Sequence, residues 1–257
     1  MHTELTLSAG TLFAFLLVLA RTAGALTFVP LPGLSGAPGP ARVVLALGFT
    51  LCLESRWPVV DASTLSPAIL AAWAAAEAAT GIAIGVAVAV VMEALTFAAQ
   101  VLGLPAGYGY ASTVDPNTQA DSGILLVLAQ LVAGLLFFAL GLDRQVLKLF
   151  AQSLDRIPAG AYVLGPNAAR TMIGVASTLF SVGVRLALPI VALLAMVDVA
   201  LALLGRLNAQ LQLLSLSFPV KMLAALVMLV WLSSLYPRMM LECAGQALRG
   251  ARRILGL

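Results

Sequence analysis

Five of the ionisable residues inside long apolar runs of this sequence stand out: Arg21, Glu77, Glu93, Arg185 and Asp198. An unpaired charge in hydrocarbon costs at least about 2.5–3.5 kcal/mol, so each must face protein or water. Arg185 and Asp198 are 13 residues apart, about 20 Å along an α-helix and about 220° around it. They cannot pair with each other on one straight helix, so their partners lie on other helices or other chains. Residues of these types serve three ends: interhelical ion pairs that fix packing, a proton or ion pathway, or contacts with partners in an assembly.

Enzymatic chemistry has little to work with. The single histidine, His2, stands at the terminus, which removes histidine-based triads and most zinc sites. The carboxylates are scattered without an acid–base spacing, and no phosphate-binding loop of the Walker type occurs. Cys52 and Cys243 are far apart, without metal-ligand spacing, and suit packing. We therefore expect no catalytic residue, cofactor or metal. Gly107-Tyr108-Gly109 is similar to part of a potassium-channel filter, but Pro105-Ala106 replaces the Thr-Val that should precede it, and no short pore helix flanks it.

The elements that must position these residues follow from composition. Hydrophobic residues make up 61% of the 257 and charged ones 10%, against about 45–50% and about 25% in soluble domains. Mean hydropathy is +1.05. So much apolar surface points to one membrane domain, 1–257, with short ends. The net charge of +3 is not gathered into a basic face, which sets nucleic acid aside. The run Leu12–Leu19 followed by Ala23-Gly24-Ala25 looks like a signal peptide, yet its start is acidic at Glu4 with no Lys or Arg before Arg21, and we expect a retained helix.

A membrane-crossing helix needs about 20 mostly apolar residues. Six apolar segments are measurable against that length: Thr11–Val29, the short Val43–Leu53, Pro67–Leu102, Ile124–Leu142, Thr171–Leu204 and Leu211–Tyr236. The third is either one long helix or one broken near Gly81 and Gly85, and the long helix is expected. The fourth is the cleanest span. Gln145–Leu154 reads as a short amphipathic helix. The last two form a hairpin, 171–236, whose tip is Gly205-Arg206-Leu207-Asn208 and whose arms Pro189 and Pro219 kink. If all six cross, the side holding both termini carries Arg56, Arg144, Lys148, Arg156, Arg170, Arg238, Arg249, Arg252 and Arg253, against Arg42, Arg206 and Lys221 opposite. Both ends then face the cytoplasm.

Between the third and fourth runs, Gly103–Gly123 contains no Lys or Arg. Its glycines permit close backbone approach, and Asp115-Pro116-Asn117 signals a turn. It is either an exposed connector or a loop folded back into protein, as irregular backbone at membrane depth requires.

Two blocks carry a family resemblance. Leu102–Gln119, LGLPAGYGYASTVDPNTQ, is similar to the glycine-rich stretch ending in Val-Asp-Pro of the flagellar export-gate FliR family and its virulence type III secretion counterparts. Val184–Met222 matches that family's order and spacing through Arg185, Pro189, Asp198, Leu204, Arg206, Asn208 and Ser217-Phe218-Pro219-Val220-Lys221. Leu19-Ala20-Arg21 followed by a Pro/Gly turn fits as well. Pro105-Ala106 departs from the family's Gln-Met-like pair.

The resemblance implies an all-α membrane subunit of an export gate in the bacterial inner membrane, at the flagellar basal body. Its implied partners are FliP-like and FliQ-like subunits, FlhB-like and FlhA-like proteins, and unfolded export substrates. Gly103, Gly107, Tyr108, Gly109, Tyr110, Val114, Asp115 and Pro116 would belong to a plug in the pore. The charges Arg21, Glu77, Glu93, Arg185 and Asp198 would pack helices or meet partners. Pro189, Arg206, Asn208, Pro219 and Lys221 would shape a FliQ-like hairpin whose tip meets an FlhB-like protein. The alternatives are the injectisome counterpart, and a proton-coupled transporter of small molecules or ions using Asp198, Glu77 or Glu93.

Overall fold

The computed structural model describes residues 8–29, 39–61, 66–108, 123–161, 168–207 and 213–257. Among these the chain is helical, with no strand. The helices are α1 (Ala9–Phe28), α2 (Gly39–Cys52), α3 (Pro67–Gly103), α4 (Ile124–Ala139), α5 (Leu142–Arg156), α6 (Ala168–Leu207), α7 (Leu213–Leu232) and α8 (Tyr236–Leu255). Contacts divide the chain into two compact units. The first comprises Met1–Val90, Gly141–Val175 and Ala244–Leu257; the second, Val91–Leu140 and Ala176–Cys243.

In the first unit, Ser8 opens α1 by accepting from the Thr11 amide at 3.2 Å, which satisfies one of the donors a helix start leaves free. Thr22 and Thr50 bring their hydroxyls to 3.2 Å between α1 and α2. Trp57 donates its indole N–H to the Thr50 carbonyl at 3.0 Å and stacks obliquely on Phe15. Helix α3 is unbroken over 37 residues, and Gly81 and Gly85 have another use. A Cβ at Gly81 would strike the Arg21 carbonyl, one at Gly85 the Ala25 carbonyl, and one at Gly24 of α1 the Ala78 carbonyl. Small residues let two apolar helices touch backbone to backbone where lipid supplies no hydrophobic drive.

The run expected as the cleanest span is shorter than its apolar pattern implies. Helix α4 has 16 residues, about 24 Å at 1.5 Å per residue, and Gly141 at φ +65 ends the run and starts α5. Helix α5 is amphipathic as expected, with Leu142, Leu149, Phe150 and Ser153 inward. In the second unit, Phe97 of α3 stacks edge-on against Phe180 of α6. Gly183 lets α6 lie on that ring and on the Ala94 carbonyl. Helix α6 runs 40 residues through Pro189, and α7 contains Pro219.

Helix α8 is an addition to the expected elements. Its apolar positions Met240, Cys243, Ala244, Ala247, Leu248 and Ala251 recur at helical spacing and are buried, while Arg238, Glu242, Arg249, Arg252 and Arg253 are exposed.

Four helical stretches among the described residues are long and apolar enough to cross a membrane: Ala9–Phe28, Pro67–Gly103, Arg170–Arg206 and Ser217–Leu255. A fifth arises if α4 and α5 count as one broken span. The assumption of six full spans therefore fails, because α2 has only 14 residues and α4 stops short. The orientation tally built on it loses its basis.

Candidate functional site

Arg21 and Glu77 form an ion pair sealed inside the first unit, 1% and 2% exposed. Their α-helices meet at the glycine contacts, which places the two side chains within reach. Arg21 Nε donates to Glu77 Oε2. Its Nη1 donates to Ser153 Oγ at 3.2 Å, and its Nη2 to the Ile157 carbonyl at 3.4 Å. Ser153 in turn donates to the Phe150 carbonyl at 2.7 Å, so its hydroxyl has one proton committed and a lone pair left for the guanidinium. Ile157 follows α5, where the helix dipole presents negative charge to the cation. Glu77 Oε1 accepts from the Gly160 amide at 3.1 Å. Gly160 has φ +73, and a Cβ there would enter the Trp73 ring one turn before Glu77. Every part of this network is a fixed donor or acceptor. Such a network holds four segments together.

In the second unit the start of the glycine-rich stretch folds back on α7. After α3, the Ala106 amide donates to Leu102 and the Gly107 amide to Leu104, each at 3.0 Å, and Ala106 is wholly buried. Gly107, at φ +85, lies against the Phe218 ring. Tyr108 donates its hydroxyl to the Met222 carbonyl at 3.2 Å, and burial pushes its phenol pKa up. Lys221, between these two contact residues, pairs with Asp198 of α6. The loop base, Pro219 and an interhelical ion pair thus share about one turn of α7.

The remaining expected residues divide by exposure. Gly103 closes α3, and Arg206 stands exposed in the last turn of α6. Glu93 is exposed and accepts from Thr96 of its own helix. Arg185 is exposed and has no ion-pair partner among the described residues. Gly109, Tyr110, Val114, Asp115, Pro116 and Asn208 lie outside the described residues. Sequence reasoning missed Ser153 and Gly160 as site residues, and named Phe218 only within the family-like run. Ser153 was the findable one, as a polar residue on the apolar face of α5.

An apolar cavity of about 330 Å³ lies in the second unit, lined by residues such as Leu95, Leu102, Leu128, Ile190 and Leu229. Its polar lining residues, Ser233 and Tyr236, give their hydroxyls to the Val230 and Leu229 carbonyls. It therefore lacks the free polar groups that would orient a polar small molecule. No group of three metal-ligating side chains occurs among the described residues.

Residues 12–247 match the family described as bacterial export proteins, family 1. The chain is similar to the flagellar biosynthetic protein FliR of Escherichia coli (strain K12), 26% identical over 82% of this chain and 83% of the relative. The protein of the same name from Caulobacter vibrioides is 23% identical over 83% of this chain and 85% of its own length. That from Pectobacterium carotovorum is 27% identical over 56% of this chain and 55% of its own.

Proposed function

Because this chain belongs to family 1 of the bacterial export proteins, the FliR family, we propose that it is a structural and gating subunit of the flagellar type III export gate. It sits in the bacterial inner membrane at the basal body. There it joins FliP-like and FliQ-like subunits, with FlhB-like and FlhA-like proteins alongside, and forms part of the pore for unfolded substrates. It does no covalent chemistry, so a separate ATPase or the proton gradient drives transport.

The observation that supports gating is the docking of the loop base on α7, with Gly107 on Phe218 and Tyr108 on the Met222 carbonyl. A plug needs one anchored end and a segment able to leave the pore, and this contact supplies the anchor. Neither the buried Arg21–Glu77 pair nor the apolar cavity gives a substrate or proton a polar route. The transporter alternative is left with the exposed Asp198 and Glu93.

Deleting Tyr108–Val114 in the gate co-expressed with its partner subunits should raise ion leakage in a conductance assay. Unchanged conductance in an intact complex removes the plug role. A chain recovered only as a monomer or homo-oligomer that takes up solute by itself removes the gate reading altogether.

A further inference from the structure

Along α6 in the second unit, Arg185, Leu188, Ala192, Met196, Val199 and Leu203 follow one another at steps of three and four residues, and all are exposed. That spacing puts them on one helix face, so the stripe is continuous, apolar and headed by a single cation. Only 22% of the most apolar window of this span is buried, against 72% for α3.

Bilayer thickness makes the cation informative. A span occupies about 20 residues, and no window of that length in α6 avoids both Arg185 and Asp198. Asp198 has Lys221; Arg185 has no carboxylate among the described residues. Moving Arg185 out to the lipid headgroups does not solve the problem. It would leave Asp198, about 20 Å further along, either in the hydrocarbon with its side chain still 53% exposed or in water together with the exposed Leu188, Met196, Val199 and Leu203. A protein cover satisfies both ends of the stripe.

We infer that this face of α6 seats an apolar helix from a different membrane subunit, one carrying an Asp or Glu at the level of Arg185. The inference rests on the export-gate reading and adds to it a surface and the chemistry of the occupant. A second copy of this chain is a poor occupant. The carboxylate without an ion pair in its long apolar helices, Glu93, has buried Val90 and Thr96 at the neighbouring positions three residues away, so no exposed apolar stripe accompanies it.

The test uses the full chain co-expressed with the other gate subunits, with a photocrosslinking phenylalanine analogue placed singly at Leu188, Met196, Val199 and Leu203, and at buried Leu194 as control. All four stripe positions should crosslink to one other subunit. Peptide mapping should place the sites on an apolar helix with a carboxylate opposite Arg185. Arg185→Ala should lower recovery of the complex by roughly thirtyfold, the loss expected when one partner of a buried charge pair is removed. Arg185→Lys should retain most of it, and Arg185→Glu should be rescued by placing Lys at the mapped carboxylate. Crosslinks to lipid alone, or a dimer of this chain, overturn the inference while an intact gate keeps the export reading. Failure to recover any multi-subunit complex overturns both.

Discussion

Arg21 and Arg185 are both cations inside apolar runs, yet their surroundings are opposite. Arg21 is 1% exposed, with a carboxylate, a hydroxyl and a carbonyl on its guanidinium. Arg185 is exposed on an apolar face and has no ion-pair partner among the described residues. The difference lies in the helices. Helix α3 offers glycines that let α1 come to backbone contact, so a charge on one reaches a charge on the other. The stripe that Arg185 heads on α6 is exposed along its length. The closed charge holds this chain's own helices together, and the open one heads the surface proposed for a partner.

The largest effect should come from breaking the closed pair. Arg21→Ala or Glu77→Ala strands a buried charge and should cost about 3–5 kcal/mol, read as loss of folded protein in detergent unfolding of the full chain. Replacing both together with Met and Leu should recover most of the loss. A single variant with wild-type stability would show that the pair is open to water.

Next come the glycines that create the pair. Gly81→Leu drives a side chain into the Arg21 carbonyl and should cost about 1–3 kcal/mol by overpacking. Gly48, where an added Cβ would meet nothing within 4 Å, is the control. Gly48→Ala should be neutral or stabilising by up to about 1 kcal/mol, since glycine is a poor helix former. Equal effects at the two positions would contradict the close approach of α1 and α3.

The smallest effects concern half-exposed pairs, and they separate folding from assembly. Arg56–Asp155 is 43% and 48% exposed, and Arg56→Ala should change stability by less than about 1 kcal/mol. Asp198→Ala should be similarly mild for the isolated chain, yet weaken co-purification with other gate subunits. Full retention of the complex would assign Asp198 to this chain alone.

Much of the fold was legible because hydropathy is a local property. All six apolar runs form helices, and α3 is continuous through Gly81 and Gly85. Helix α8 escaped because its face is written in spacing, at Met240, Cys243, Ala244 and Ala247, and not in overall apolarity. The short α4 escaped because the left-handed turn at Gly141 lies inside an apolar run and interrupts no pattern. At the site, the five charged positions could be named in advance, and so could the glycine-rich stretch. Their partners could not, since Glu77 is 56 residues from Arg21 and Ser153 is 132 away.

Taken alone, the residue order determined that this is a helical membrane chain of an export family, and which ionisable groups its apolar segments must accommodate. Tertiary structure decided which of those groups are neutralised within the chain. Coulomb attraction at this depth depends on separations of a few ångströms, and those separations are set by where helices remote in sequence come together.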